Sequence, residues 1–97
     1  MIDLVVILRA KDPASLPELR DLLKEQVARS LQEPGCMRFE LLESETNPGT
    51  FILIERWESQ QALETHREAD ACKTLYFPRI VPLVERTPHV CKSLMTS

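Results

Sequence analysis

Apolar and polar positions along this chain follow two different periods, and the switches between them mark its elements. Ile2 to Arg9 reads Ile-Asp-Leu-Val-Val-Ile-Leu-Arg. On a strand this places Ile2, Leu4, Val6 and Leu8 on one face and Val5 and Ile7 on the other. A strand that is apolar on both faces is covered on both. After a connection from Lys11 to Ala14, Leu16, Leu19, Leu23, Val27 and Leu31 recur every three or four residues, which predicts a helix. Ser15 is the expected N-cap, and Glu18 would complete a capping box. Pro17 falls in the first turn, where its missing N–H costs little. Pro34-Gly35 ends the helix.

The period then returns to two. Cys36 to Glu43 predicts a second strand, with Met37, Phe39 and Leu41 on one face. Thr46-Asn47-Pro48-Gly49 predicts a turn. Thr50 to Trp57 predicts a third strand, with Phe51, Leu53, Glu55 and Trp57 on one face and Ile52, Ile54 and Arg56 on the other. These two strands form a hairpin. Ser59 caps a second helix whose inner stripe is Ala62, Leu63, His66 and Ala69. A further helical piece runs from Ala71 towards Phe77. Pro78 and Pro82 bend or split the chain from there to Val84, and Val90 to Met95 forms a last short strand.

Strand, helix, strand, strand, helix, strand is the ferredoxin-like split βαβ order of an α+β fold. Right-handed crossovers put both helices on one side of a four-stranded antiparallel sheet. The bare side is apolar too, and a second copy packed face to face would cover it. At 97 residues the chain makes one domain, spanning 1–97. A monomer of this size buries only roughly 60–65% of its unfolded surface, so a homodimer interface supplies what it lacks.

Charge and cysteine content narrow the function classes. Fifteen acidic and 12 basic side chains give a net charge of −3, with the basic residues scattered singly. That disfavours nucleic acid, which needs a concentrated basic patch. Cys36, Cys72 and Cys91 are widely spaced and lack a CxxC or zinc pattern, so they read as free thiols in a reducing compartment. The first apolar run is too short to cross a bilayer and does not read as a signal peptide. A cytoplasmic protein with no membrane partner is expected. Its two glycines, Gly35 and Gly49, form no phosphate loop, and no Rossmann, nucleophile-elbow or metalloprotease motif occurs.

The stretch from Trp57 to His66 carries the candidate chemistry. A strand ends in an aromatic, and a histidine lands on the inner face of the helix beyond it. His66 is either a general acid or base, or a core histidine bonded to a carbonyl. Trp57 either stacks on a planar ligand or closes the end of the sheet. Glu55 shares its face with three large apolar groups, so its carboxylate is paired or carries a raised pKa, unless it sits at the rim. Arg38, Arg56 and His66 are its candidate partners. Phe39 and Met37 extend an apolar wall, unless Met37 is only a packing filler. Tyr76 can supply a hydroxyl and Arg79 can bind an anion, or both lie on the helix surface. His89 reads as exposed, and too few ligands converge for a metal.

Glu33-Pro34-Gly35-Cys36 followed by Arg38-Phe39, the Asn47-Pro48 turn, Phe51 to Trp57 with Glu55, and Glu58-Ser59-Gln60-Gln61-Ala62-Leu63-Glu64-Thr65-His66 form an ordered set. In this the chain resembles the antibiotic biosynthesis monooxygenase domain family, the small dimeric quinol monooxygenase-like proteins. The resemblance covers nearly the whole chain. It implies a dimeric α+β barrel with sheets face to face and a C-terminal segment, here Val90 to Met95, reaching the neighbouring subunit. It implies oxidation of a small phenolic or quinol-type aromatic by molecular oxygen without metal, flavin or haem, with His66 and Trp57 as the pocket's polar and stacking groups. Some relatives are instead isomerases, degrade haem or have no demonstrated activity. Many relatives carry a second histidine five residues on, where this chain has Ala71 followed by Cys72.

Overall fold

A computed structural model describes residues 1–96. The strands are β1 (Ile2–Ala10), β2 (Cys36–Glu43), β3 (Thr50–Trp57) and β4 (Val84–Cys91), in the sheet order β2-β3-β1-β4 with every neighbouring pair antiparallel. The helices α1 (Leu16–Ser30) and α2 (Gln60–Glu68) lie in the two crossovers, and a wide-turned π-helix (Ala71–Ile80) comes after α2. This is the expected split βαβ arrangement, with the helices on one face of the sheet.

That face holds the core. Leu4, Val6 and Leu8 of β1 and Phe51, Leu53 and Trp57 of β3 pack against Leu19, Leu22 and Leu23 of α1, Leu63 of α2, and Leu75 and Ile80 of the π-helix. On the opposite face Val5, Ile7, Ile52 and Ile54 are half-buried and Leu42 is exposed. Register places Val5 beside Ile54 and Ile7 beside Ile52, so they form one apolar stripe. Charged pairs flank it, Arg56 with Asp3 at 2.7 Å and Arg38 with Glu40 at 2.7 Å.

Several sequence expectations need correction. The last strand is Val84–Cys91, not Val90 to Met95. Pro88 sits inside it and is tolerated because β4 is an edge strand. The capping box at Ser15 does not form. A 3₁₀ turn at Pro13–Ser15 precedes α1, its N-cap Asp12 accepts from the Ala14 N–H, and the Ser15 hydroxyl donates back to the Asp12 carbonyl. The buried stripe of α1 is Leu19, Leu22, Leu23, Gln26 and Ser30, while Val27 is only half-buried and Leu31 is exposed. In β2 a bulge between Cys36 and Arg38 breaks the alternation, and Met37 is 55% exposed instead of lining the inner face with Phe39.

One ion pair ties the helical layer to the hairpin. Arg20 of α1 makes a two-point contact with Glu43, at 2.8 and 3.0 Å, and Glu43 also accepts from the Gly49 N–H. The Arg20 guanidinium and that N–H hold the Glu43 carboxyl down at about 2. A carboxyl depressed on folding contributes stability above its unfolded value near 4.5, and that contribution fades as pH falls towards about 2. Urea titrations between pH 5 and about 2 should therefore show an acid-dependent loss of stability that Glu43→Gln diminishes.

Candidate functional site

The site grows from the end of β3. Glu55 and Trp57 point into the core from the same face, and the indole N–H donates to a Glu55 oxygen at 3.0 Å. Glu55 is nearly fully buried, and burial pushes its carboxyl above the usual range, opposed by the Trp57 hydrogen bond and the charges of His66, Arg86 and Arg67. Ser59 then caps α2 by accepting from the Ala62 N–H, which fixes where the helix starts and turns His66 inward. The His66 ring lies over the indole, with centroids 4.3 Å apart and planes 30° apart, and Phe39 meets both rings edge-on at 5.8 and 6.3 Å.

Both imidazole nitrogens are engaged. Nδ1 lies 2.5 Å from a carboxylate oxygen of Glu33, and Nε2 lies 3.5 Å from the Cys72 sulfur. With the carboxylate accepting at Nδ1–H, Nε2 is the acceptor that faces the thiol. Glu33 is brought here by the turn after α1. Gly35 takes φ +81° there, its carbonyl accepts from the Glu58 N–H at 2.8 Å, and a Cβ at this position would stand 2.6 Å from that of Ala62. The turn is thus pressed against the start of α2, and only glycine fits both the space and the backbone.

The π-helix supplies the other side. Its wide turns carry an i→i+5 bond from the Val81 N–H to the Tyr76 carbonyl, and Cys72, Leu75, Tyr76 and Ile80 are buried. The Tyr76 hydroxyl accepts from Arg86 of β4 at 2.7 Å. Burial raises the Tyr76 hydroxyl's pKa, with the Arg86 charge opposing. Burial and the Glu33 charge push the Cys72 thiol up to about 11, with a Gln26 hydrogen bond opposing.

A cavity of about 30 Å³ lies between these groups. Leu4, Phe39, Leu53 and Leu63 give it apolar walls, while Gln26, Glu55, His66, Cys72 and Tyr76 supply polar atoms. Arg67, Phe77 and Arg86, all exposed, complete the lining. About two water molecules fill that volume. Among the described residues no three His, Cys, Asp or Glu side chains form a metal-binding group. Glu33, His66 and Cys72 are instead strung out along the imidazole axis.

His66, Glu55, Phe39 and Tyr76 therefore come together around one cavity. Trp57 does not line it. The indole is fully buried behind His66 and acts through Glu55 and the ring stack. Met37 lies outside because of the β2 bulge, and Arg79 lies outside because the π-helix turns it to solvent. Arg38 and Arg56 do not reach Glu55, since they sit on the other face of the sheet with Glu40 and Asp3. Glu33, Gln26, Cys72 and Arg86 are site residues that sequence reasoning misses. Gln26 carries a signal, being an amide on the same helical face as Leu19, Leu22 and Leu23. Gly35→Ala should cost about 1–3 kcal/mol in urea denaturation and loosen the Glu33–His66 contact, read as a changed His66 imidazole shift by NMR.

The family model described as antibiotic biosynthesis monooxygenase matches residues 1–76. Among solved structures, a conserved Bacteroides thetaiotaomicron protein of unknown function is 27% identical, with a TM-score of 0.85 over 93% of this chain and 94% of that one. A Pseudomonas aeruginosa protein is 25% identical, with a TM-score of 0.84 over 97% and 94%. A structure described as an antibiotic biosynthesis monooxygenase is 24% identical, with a TM-score of 0.89 over 98% and 100%. No curated protein matches this chain. With more than three quarters of its length under one family model and the same fold along nearly all of it, the chain belongs to the antibiotic biosynthesis monooxygenase family.

Proposed function

We propose that this chain is a cofactor-independent monooxygenase that oxidises a small aromatic, quinol-type substrate with molecular oxygen. The observation that carries this reading is the Glu33–His66 pair, which presents an imidazole nitrogen to a small cavity with both apolar and polar walls. Glu33 accepts at Nδ1 and holds the tautomer, so Nε2 takes the proton of a phenolic hydroxyl. The Cys72 thiol near Nε2 is a weak hydrogen-bonding group, and a hydroxyl displaces it readily. Arg67 and Arg86 sit where a phenolate's charge would be stabilised. Glu55 adds a further polar group to the cavity wall, its carboxyl raised by burial and lowered again by the Trp57 hydrogen bond.

The electrons come from the substrate. A hydroquinone gives four electrons to dioxygen, one oxygen atom enters the ring to give a hydroxyquinone, and the other leaves as water with two hydrogens. Dioxygen fits the cavity as it stands. A ring needs more room than this, which movement of the exposed Phe77 side chain at the cavity wall would supply. Family membership supports this chemistry. Ala71 at the position of the relatives' second histidine leaves His66 as the one imidazole in the cavity.

The chain works, in this reading, as a homodimer that buries the apolar stripe of Val5, Ile7, Ile52 and Ile54 against its twin, with residues beyond Val90 reaching the neighbour. The exposed Val90, Leu94 and Met95 are apolar side chains that such an arrangement would cover. Three free cysteines suit a reducing, cytoplasmic setting. No helix among the described residues is long and apolar enough to cross a membrane. The small cavity favours a second reading, a non-catalytic dimeric binding module. Isomerisation of a small oxygenated metabolite would use the same histidine without consuming oxygen.

An oxygen electrode separates these readings. Hydroquinones should drive oxygen uptake, and His66→Ala should slow it at least about tenfold. Turnover that survives this change would remove His66 from the mechanism, and no uptake across a hydroquinone panel would remove the oxygenase and leave the binding module and the isomerase. Equilibrium sedimentation at micromolar protein should give twice the 11.1 kDa chain mass. A single-chain mass would refute the dimer.

A further inference from the structure

Cys72 is used by nothing in that mechanism, yet it is embedded in the same cavity. Glu33, His66 and Cys72 form a chain, with carboxylate to Nδ1 at 2.5 Å and Nε2 to Sγ at 3.5 Å. A nucleophile beside a base, with a third group orienting that base, is the arrangement that activates a thiol. We infer that Cys72 is a base-assisted nucleophile that adds to small, flat conjugated carbonyl compounds, quinones in particular. The choice of quinones rests on the function proposed above; the activated thiol does not.

Gln26 is an independent observation at the same place. Its side chain is 1% exposed and forms part of the cavity wall. Its Nε2 donates to the Cys72 sulfur at 3.7 Å and to the Ser30 hydroxyl at 3.3 Å, while its Oε1 is buried with no partner. A buried amide oxygen without a partner is unfavourable, and a ligand bringing an O–H donor satisfies it. The hydroquinone formed by thiol addition carries two such donors. Phe39, Leu53 and Leu63 offer flat apolar contact to its ring, and Arg86 can take up charge developing on a carbonyl oxygen.

Cys72 is held as a thiol at neutral pH, since burial pushes it up to about 11. A buried thiol with no base beside it would be inert. Here the proton can leave as the bond forms. Sulfur bonds to a ring carbon adjacent to a carbonyl carbon, and the C=C electron pair shifts to the conjugated oxygen. His66 Nε2 takes the thiol proton and passes it to that oxygen. The ring then moves its carbon-bound proton to the second oxygen. The product is a thioether-linked hydroquinone. No atom is lost, and no outside oxidant or reductant is needed.

The test uses the full chain carrying Cys36→Ser and Cys91→Ser, so that Cys72 is the sole thiol, with 1,4-benzoquinone under argon. Intact mass and peptide mapping should show one quinone added, on Cys72. His66→Gln in that background should slow the addition at least about tenfold. In the chain with all three cysteines the same change should leave the rate at exposed Cys91 as it was. No adduct on Cys72, or an equal rate with His66→Gln in a protein whose circular dichroism is unchanged, overturns the inference. If that variant does not fold, Glu33→Gln reads the same relay, with slower addition expected and an unchanged rate overturning it. The addition is read under argon and the oxygenase on the oxygen electrode, so addition at Cys72 in a protein whose wild type takes up no oxygen with hydroquinones upholds the nucleophile and removes the oxygenase. Oxygen uptake without addition removes the nucleophile alone.

Discussion

A carboxylate in the middle of a buried strand face is the constraint on which this site is built. The alternation of β3 leaves Glu55 only one face to occupy, and that face also carries Phe51, Leu53 and Trp57. An ionised, unpartnered acid there would be costly. The remedy comes from two residues along the same strand, where the indole N–H of Trp57 donates to the carboxylate. Using the indole in this way fixes its plane, and the fixed plane becomes the floor on which the His66 ring rests. His66 in turn needs a partner for each nitrogen, and it finds one in the turn after α1 and one in the π-helix. A single polar residue in an apolar row is thus tied to the turn after α1, to α2 and to the π-helix by a hydrogen bond to the indole, the ring stack on it, and the two contacts of the imidazole.

The two faces of the sheet divide the work. The inner face is closed by α1, α2 and the π-helix, and it carries the Glu55 carboxylate that lines the cavity from a strand. The outer face carries its ion pairs at the margins and its apolar groups in the middle. One layer of backbone separates that face from the site. Val5 and Ile7 face outward from β1, while their neighbours Leu4 and Val6 face the cavity side.

Much of the fold is legible in the sequence because it rests on periodicity. The limits of β2 and β3 are the ones the alternation predicts, and Ser59 caps α2 as its residue type suggests. The failures have local causes. Proline reads as a breaker, which places β4 too late and hides Arg86 from view. A bulge cannot be seen in alternation alone, and it moves Met37 out of the wall that Phe39 joins. The site is legible as far as a face can be assigned, which covers Glu55, His66 and Phe39, while Tyr76 could be named only as a residue type. Glu33 is not, because its position depends on how a turn folds back against α2. That is a matter of tertiary packing, and only the steric demand at Gly35 hints at it.

The π-helix joins residues whose jobs differ. Cys72 sits against the imidazole, Tyr76 takes the Arg86 hydrogen bond, and Ile80 closes the core beneath them. In this wide winding, side chains spaced by four residues share the inner side, and all three are buried. Length in this segment is therefore as constrained as identity. Loss of one residue between Cys72 and Ile80 would leave the chemistry of each side chain intact yet aim at least one of them at solvent.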